Sequence, residues 1–481
     1  MSVSDLSKFL FNVAKPVLER WATGFLYEKR IREKQEALVT KKIRRQCQTG
    51  IGKAMGLGVD SSIRDVVPTG YDFYYPFFEE PHDIDYLYSL SDYVKTHTSG
   101  TMGKPKIYMI PRKGISENLR RTGPSVFFAI THDGERYRLE LGDVIYANIP
   151  GGAFLAGFFG DEISKTQRNV IKMVPENSGR MTYQQKVDYF VRHHGDIDIA
   201  YMTITTLLDE VKKRVGEPIE LKAFVTTDVS ASALKEQIRE FCGVYPKTIY
   251  GSTEMMLATV PSSGHPGGFF FDWRVAYPEF IPEDQSLDPD ETGTEPPPEV
   301  VHMMDVEPGK RYQLIVTPLY NDMTRYIIPD ILECVSLGDD ALGSEIPVFR
   351  YISRSDRLLV LHNFTRINEA ELAEVLSNAG IDFVDFTARC ELDGARQYIR
   401  LYIEPREESS QETVEEKING ELYRFDKDYR DLTDFMKFKP LKVTLLPHGA
   451  FNRYLESKEG MARIARIGMR EERLKLLLGE S

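Results

Sequence analysis

The sequence predicts an α/β protein with a large N-terminal domain, built of mixed and parallel sheets flanked by helices, and a small mobile α+β domain at the C-terminus. Between about residues 96 and 350, short β-like runs alternate with helical runs, which is typical of parallel sheets connected by helices. The tail beyond has about 125 residues, a normal domain size. With 481 residues, the chain is long enough for two to three domains. We predict domains at residues 1–354 and 355–481.

The first 95 residues predict helices followed by a loop. Met1–Tyr27 contains apolar residues at helical spacing and predicts an amphipathic helix. Glu28–Arg45 is rich in Lys, Arg, Glu and Gln and has few helix breakers, so it predicts a solvated helix. Val66–Tyr71 has the residue types of a turn, and Asp72–Pro81 is an aromatic and acidic stretch.

The central region supplies most of the predicted sheet. Val144–Ile149 and Phe224–Thr227 predict buried strands, and Tyr312–Thr317 alternates as a strand does. Tyr183–His193 and Ala233–Phe241 predict helices between them. This succession of strands and helices is what favours an α/β architecture.

The end of the chain predicts a separate small domain. The acidic, proline-rich stretch Pro282–Val301 predicts a surface loop, and a domain boundary is predicted near Ser353–Arg357. Beyond that boundary, Glu369–Asn378 predicts a helix, while Ile399–Ile403 and Leu441–Leu446 predict strands.

Composition restricts the classes of function. Acidic residues outnumber basic ones by 73 to 61, and the net charge of −12 argues against nucleic acid as the main partner. The four cysteines are scattered and none forms a CxxC pair, which favours reduced thiols in the cytoplasm. The absence of an apolar run of about 18 residues predicts no membrane span.

The most distinctive local feature is the stretch from Thr98 to Lys106, which reads TSGTMGKPK. Two glycines allow close approach of backbone N–H groups to a phosphate, and hydroxyls and lysines add hydrogen bonds and charge. The stretch is not a Walker A loop, because Pro105 follows Lys104 where that motif needs Ser or Thr. A hairpin turn built from ordinary turn residues is the alternative interpretation.

Three further motifs follow in order. The first is Tyr250–Glu254 (YGSTE), in which Glu254 is either a Mg²⁺ ligand or an acid at a helix N-terminus beside a Ser-Thr cap. The second is Thr324–Asp330 (TRYIIPD). The third is Ser353–Arg357 (SRSDR), for which a solvated charge cluster is the alternative.

Together these motifs resemble those of the adenylate-forming superfamily, which includes acyl-CoA synthetases, luciferases and peptide-synthetase adenylation domains. The resemblance covers roughly residues 45–470 and implies that the large domain binds ATP and Mg²⁺ and that the small one acts as a lid. It implies catalytic roles for Lys106, Thr253, Glu254 and Arg354, with Glu254 as the metal ligand. It implies nucleotide binding by Thr98, Ser99, Gly100, Thr101, Gly103, Tyr250, Gly251, Ser252 and Asp330. In that assignment Tyr250 lies against the adenine, Thr253 contacts the α-phosphate region and Asp330 holds the ribose.

Within the superfamily, the chain looks most like the plant-type acyl acid–amido synthetases, which conjugate auxin or jasmonate to amino acids. Thr49–Lys53, Gly309–Thr317 and Gly449–Phe451 resemble segments of that family. The resemblance implies that a carboxylic acid, with aryl, indole and fatty acids as the candidates, is activated as an acyl-adenylate with release of pyrophosphate, and that the acyl group is then transferred to an amino acid. The alternatives are transfer to coenzyme A, as in phenylacetate–CoA ligases, or a catalytically weakened ATP-binding homologue.

Two departures from the superfamily pattern motivate the weakened alternative. Pro329 replaces the glycine before Asp330, which predicts a turn with an altered backbone. The superfamily lysine near the C-terminus is also missing, and Lys458, Arg463 and Arg466 are the cations nearby.

The acid pocket has only weak signals in the sequence. Pro150–Phe159 and Tyr201–Thr203 combine apolar, aromatic and small residues that suit a hydrophobic acyl group, although a buried helix on the sheet explains the first segment equally well. His97 is next to the phosphate loop, where contact with substrate and a structural role are equally favoured. We find no convincing Ser-His-Asp set, and the proposed chemistry needs no protein nucleophile.

Overall fold

The fold is seen in a computed structural model of the full chain. It describes residues 3–98, 106–148, 171–176, 178–204, 206–228, 231–287, 299–354, 358–362, 365–407, 409–456, 464–469 and 471–479. The chain divides into two compact units, the larger of which contains Met1–Thr98 and Ile107–Ser355, while the smaller contains Ser99–Lys106 and Asp356–Ser481. None of the described helices is long and apolar enough to cross a membrane.

The described α-helices are α1 (Val3–Thr23), α2 (Ile31–Gln46), α3 (Gly50–Ala54), α4 (Tyr71–Glu79), α5 (Arg112–Ile130), α6 (Tyr183–His193), α7 (Lys212–Val215), α8 (Lys235–Cys242), α9 (Glu369–Asn378), α10 (Gln411–Phe425), α11 (Lys427–Met436), α12 (Ala450–Glu456) and α13 (Glu471–Leu478). A π-helical turn, Thr206–Val211, precedes α7.

The described strands are β1 (Tyr93–Thr98), β2 (Lys106–Pro111), β3 (Asp143–Ala147), β4 (Ile171–Val174), β5 (Ile199–Tyr201), β6 (Ala223–Thr226), β7 (Pro246–Thr248), β8 (Thr259–Pro261), β9 (Phe269–Phe271), β10 (Ala276–Pro282), β11 (Val301–His302), β12 (Arg311–Pro318), β13 (Tyr326–Ser336), β14 (Val348–Arg354), β15 (Leu359–Leu361), β16 (Thr365–Ile367), β17 (Phe383–Asp393), β18 (Arg396–Pro405) and β19 (Leu441–Leu445).

A five-stranded parallel sheet forms one layer of the larger unit, in the order β4-β3-β5-β6-β7. Its central strands are buried and apolar, as expected for parallel strands covered on both faces. Ligands of such sheets bind beyond the carboxyl ends of the strands. The residues after β7, which begin the Tyr250 motif, therefore lie at the edge where a ligand is expected.

A seven-stranded sheet, ordered β11-β10-β12-β13-β14-β9-β8, forms the second layer of the larger unit. Its pairs are antiparallel, and β12 to β14 are long. Buried phenylalanines pack on it, with the rings of Phe280 and Phe349 stacked 4.6 Å apart. This sheet brings Asp330 of the TRYIIPD motif and Arg354 of the SRSDR motif together, because β13 and β14 are hydrogen-bonded neighbours.

The smaller unit has a hydrophobic core of its own. A three-stranded sheet, β17-β18-β19, packs with α9, α10 and α11 around fully buried apolar side chains such as Leu401 and Ile418. The hairpin of β15 and β16 joins the same core through Leu361 and Ile367. Antiparallel and parallel pairs both occur in this sheet, so the predicted α+β character is confirmed.

Most of the predicted elements are confirmed, and two predictions near the N-terminus are wrong. Residues 71–79 form the helix α4 and not a loop, since its tyrosines and phenylalanines, including the fully buried Tyr74 and Phe78, pack into the core. The helix α2 is not simply solvated. It buries one face, including the polar side chains of Gln35, Lys42 and Gln46, which donate hydrogen bonds to backbone carbonyls of the seven-stranded layer and its loops.

Candidate functional site

The strands on either side of the predicted phosphate loop pair with each other. Thr98 is the last residue of β1 and Lys106 the first of β2, and the two strands form a two-stranded sheet. Ser99, Gly100, Thr101 and Gly103 lie outside the described residues. The hairpin and phosphate-loop interpretations therefore share the same flanking strands, and the role of the loop stays a prediction.

The Tyr250–Glu254 motif enters a tight turn and not a helix. The backbone N–H of Met256 donates to the carbonyl of Ser252 at 2.8 Å, and Met256 has a positive φ of 61°. A Cβ on Gly251 would lie only 3.2 Å from the Met256 carbonyl oxygen, so glycine suits this close approach. The alternative of Glu254 as a helix N-terminal acid is thus excluded, because residues 252–256 are a turn.

Two asparagines that the sequence analysis did not single out hold this turn in place. The side-chain amide of Asn118, on α5, donates to the carbonyls of Met255 and Leu257 at 3.3 and 2.9 Å. The amide of Asn321 donates to the carbonyl of Glu254 at 2.7 Å. Both asparagines are buried, and no spacing in the sequence links them to the motif.

Three residues predicted to contact the nucleotide form one hydrogen-bonded cluster. The Tyr250 hydroxyl donates to Oδ2 of Asp330 at 2.7 Å, and Nη1 of Arg354 donates to Oδ1 at 3.1 Å. Both oxygens of the Asp330 carboxylate thus accept a hydrogen bond. Burial, followed by the charge of Asp330, holds the pKa of Tyr250 well above its usual range, so the phenol stays a donor.

The Tyr250 ring lies largely within the core. It is 8% exposed and stacks on Phe269 with ring centroids 4.8 Å apart. The ring centroid of Tyr351 lies 6.3 Å from that of Tyr250. A base placed here would reach only a small part of this ring, and the adenine contact of Tyr250 stays a prediction.

Pro329 lies inside a strand, so the predicted turn before Asp330 is wrong. Leu314 of β12 pairs with Ile328, and the preceding Gln313 pairs with Ile331, so residues 329 and 330 bulge out of the β12 ladder. Proline is tolerated at a bulge because no ladder N–H is needed there. On the other side Asp330 pairs directly with Arg354 of β14. Asp330 and Arg354 are thus direct neighbours in the sheet, and their side chains are hydrogen-bonded.

Arg325 of the same motif is structural. Its guanidinium forms two hydrogen bonds to the Glu279 carboxylate, with Nε at 2.9 Å, and donates to the Val66 carbonyl at 2.7 Å. Both side chains of this ion pair are 6% exposed. The pair ties β10 to the start of β13, upstream of Asp330.

Glu254 is half-buried and is held by a single phenol. The Tyr108 hydroxyl donates to Oε1 of Glu254 at 2.7 Å and lies 3.2 Å from the Tyr326 hydroxyl. In the described residues Oε2 has no hydrogen-bond partner. No group of three or more metal-ligating side chains occurs in that part of the chain. One carboxylate fits Mg²⁺, which usually takes one or two carboxylates together with substrate phosphates.

The remaining predicted residues are divided between described and undescribed positions. Tyr201 ends β5 at the carboxyl edge of the parallel sheet, whereas the segment 150–159 lies outside the described residues, as does the side chain of His97. Thr253 lies in the turn beside Glu254. Lys458 and Arg463 also lie outside the described residues.

Arg466, the remaining cation near the C-terminus, is engaged within the smaller unit. Its Nε donates to Asp385 Oδ1 at 2.7 Å and its Nη1 to Glu369 Oε1 at 3.2 Å. These ion pairs raise its pKa above the usual value. A role in place of the missing lysine would require Arg466 to leave both carboxylates.

Comparison with known proteins identifies the region that contains the TRYIIPD motif and reaches Arg354. Residues 269–354 match the GH3 family central domain. A probable indole-3-acetic acid-amido synthetase, GH3.2 from Oryza sativa subsp. japonica, is 30% identical over 125 residues. That match covers 24% of this chain and 19% of the rice protein, so the chain matches about a fifth of its relative's length.

Two solved structures share the fold over nearly the whole chain. The GH3.15 acyl acid amido synthetase has a TM-score of 0.51 at 14% identity and covers 96% of both chains. A 2-hydroxyisobutyryl-CoA ligase, solved with 2-HIB-AMP and CoA, has a TM-score of 0.58 at 16% identity and covers 89% of this chain and 88% of its own. The α/β fold is therefore confirmed, and the matches to the GH3 central domain and to the rice protein confirm the resemblance to plant acyl acid–amido synthetases.

Proposed function

We propose that this chain, whose residues 269–354 match the GH3 family central domain, is an ATP- and Mg²⁺-dependent adenylate-forming ligase. It activates a carboxylic acid as an acyl-adenylate and transfers the acyl group to the amine of an amino acid. The supporting observation is that Tyr250, Asp330 and Arg354, from three separate motifs, meet in one hydrogen-bonded cluster. No single motif would support the proposal as strongly.

The reaction consists of two substitutions. An oxygen of the substrate carboxylate attacks the α-phosphorus of ATP, the new P–O bond forms, and pyrophosphate leaves. The amine nitrogen then attacks the acyl carbonyl carbon, AMP leaves, and the nitrogen loses a proton. Mg²⁺ bound at Glu254 would supply neutralisation of the phosphate charge.

The protein's part is to bind and orient the substrates. Asp330 accepts hydrogen bonds from the ribose hydroxyls while Tyr250 and Arg354 hold its carboxylate in one orientation. Lys106 and the loop before it bind the phosphates. Positioning of this kind, together with fixed charges, is the main contribution that a protein makes to phosphate chemistry.

The amine acceptor is favoured by the match to the GH3 central domain and the rice amido synthetase. Transfer to coenzyme A is the second candidate, and the shared fold of the CoA ligase motivates it. An aryl, indole or fatty acid is the proposed carboxylic substrate.

We also propose a cytoplasmic location, because all four cysteines are free thiols.

The first test is ATP–pyrophosphate exchange with a panel of aryl, indole and fatty acids. We expect exchange that depends on one class of acid. In Glu254→Gln the exchange rate should fall at least roughly 100-fold, the upper end of the loss seen when a residue that supports a metal site is replaced. Lys106→Ala should reduce it comparably. Glu307→Gln is the matched control, since Glu307 pairs with Lys310 on the surface. Full exchange in Glu254→Gln and Lys106→Ala would refute these residue assignments.

The acceptor is tested by supplying amino acids or coenzyme A after the responsive acid is known. An amide product supports the proposal, and a thioester alone supports the CoA ligase alternative. ATP binding without exchange on any acid would favour the weakened homologue, with the missing C-terminal lysine as its cause.

A further inference from the structure

A buried phenol connects the strand after the phosphate loop with the Glu254 carboxylate. Tyr108 lies on β2, is 1% exposed, and donates its hydroxyl proton to Glu254 Oε1 at 2.7 Å.

The hydroxyl network has a defined direction. A phenol has one proton, and Tyr108 gives it to the carboxylate, which can only accept when ionised. In the 3.2 Å contact between the two phenols, Tyr326 must therefore be the donor and Tyr108 the acceptor. Tyr326 thus donates to Tyr108, which donates to Glu254, and two hydrogen bonds aligned in this way polarise each other.

Packing leaves the Tyr108 ring little freedom to move. The rings of Tyr71 and Phe78, from α4, lie 5.4 and 5.7 Å from it. The Tyr71 hydroxyl accepts the backbone N–H of Ile107 at 2.8 Å, which fixes the strand beside the ring. The helix that the sequence analysis missed therefore buttresses this phenol.

We infer that Tyr108 is the positioning residue for the metal ligand Glu254. By occupying Oε1, the phenol fixes the orientation of the carboxylate and leaves Oε2 available for a divalent cation. Partners behind a metal ligand typically contribute 10–100-fold to metal affinity. The inference rests on the proposed function, because it takes Glu254 as the Mg²⁺ ligand.

The test measures the gain in ATP affinity that Mg²⁺ provides. ATP binding to the purified full chain is titrated calorimetrically with no acid present, once with excess Mg²⁺ and once with EDTA. In Tyr108→Phe, which removes only the hydroxyl, the Mg²⁺-dependent gain should shrink about tenfold while the affinity in EDTA stays unchanged. Tyr326→Phe should shrink the gain less, since Tyr326 acts through Tyr108.

Tyr74→Phe is the matched control, because the Tyr74 hydroxyl is buried in the same aromatic cluster but bonds to the Thr324 backbone. An unchanged Mg²⁺-dependent gain in Tyr108→Phe, with normal ATP binding, would overturn this inference alone. Equal losses with Mg²⁺ and with EDTA in both Tyr108→Phe and Tyr74→Phe would also overturn it, as they would indicate a structural role. A wild-type chain without Mg²⁺-dependent ATP binding would overturn the proposed function as well.

Discussion

At the scale of single residues, the Asp330 carboxylate is the most constrained group of the candidate site. Its two oxygens accept from a neutral phenol and a guanidinium, and the side chain is 10% exposed. Hydrogen bonds to charged groups contribute about 1.5–3 kcal/mol each. The charge of Asp330 therefore orients both of its partners.

Asp330→Asn is expected to weaken ATP binding by about tenfold or more, because the amide keeps the volume but loses the charge that both partners bind. Calorimetric titration of ATP measures the change. Asp340→Asn, at an exposed position in a turn, is the control. Unchanged ATP affinity in Asp330→Asn would refute the ribose assignment.

His302 should make the larger unit sensitive to acid. Burial lowers the pKa of His302 to about 4, while the ring accepts the N–H of Met304 and contacts Gln35 Oε1. The unfolded chain takes up this proton near pH 6.5 and the folded one only near pH 4, so stability present above pH 6.5 is lost progressively as pH falls toward 4. The loss amounts to at most about 3 kcal/mol.

Urea unfolding of the wild type and of His302→Gln, measured from pH 7 to pH 4, isolates this contribution. The glutamine variant is expected to lose less stability over that interval. Parallel curves for the two proteins would show that His302 does not titrate as proposed.

At the scale of elements, the strand β13 depends on one buried ion pair. Arg325→Met leaves Glu279 without its partner, and breaking a buried pair in this way costs about 3–5 kcal/mol. Urea unfolding measures the loss. Arg325→Met combined with Glu279→Gln should recover part of the stability, since no unpaired charge remains. A double variant less stable than Arg325→Met would contradict this account.

The elements that the sequence predicted best have local signals at their ends. The helix α6 begins at Tyr183 as predicted, after a capping box between Thr182 and Gln185, and α9 follows a capping box between Asn368 and Glu371. The helix α4 was missed because it contains Pro76, a residue that disfavours helices, and because packing with aromatic residues distant in sequence stabilises it. Local patterns specify caps, whereas packing partners distant in sequence leave no local pattern.

The same distinction applies to the candidate site. The motifs containing Glu254 and Asp330 are visible because each occupies a few consecutive residues. Tyr108, Asn118 and Asn321 are isolated residues whose partners lie far along the chain, with Tyr108 and Glu254 separated by 146 positions. A single sequence contains no signal for such pairs.

At the scale of the whole molecule, the described residues of each unit include a large hydrophobic cluster of their own, and the C-terminal part of the smaller unit begins after residue 355. We propose that residues 1–354 and 355–481 are the two domains. A fragment of residues 355–481 should unfold cooperatively on heating, because its core contains its own sheet and helices. Circular dichroism measures the transition, and a gradual change without a transition would contradict the proposed boundary.

The pairing of Asp330 with Arg354 has a mechanical consequence. Arg354 is the last residue of β14, one position before the larger unit ends, and its guanidinium is hydrogen-bonded to Asp330. A sugar that pulls Asp330 toward itself would weaken this hydrogen bond at the point where the backbone leaves the larger unit. Binding of a nucleotide at Asp330 would thereby change how firmly the end of β14 is held where the chain continues to the second unit.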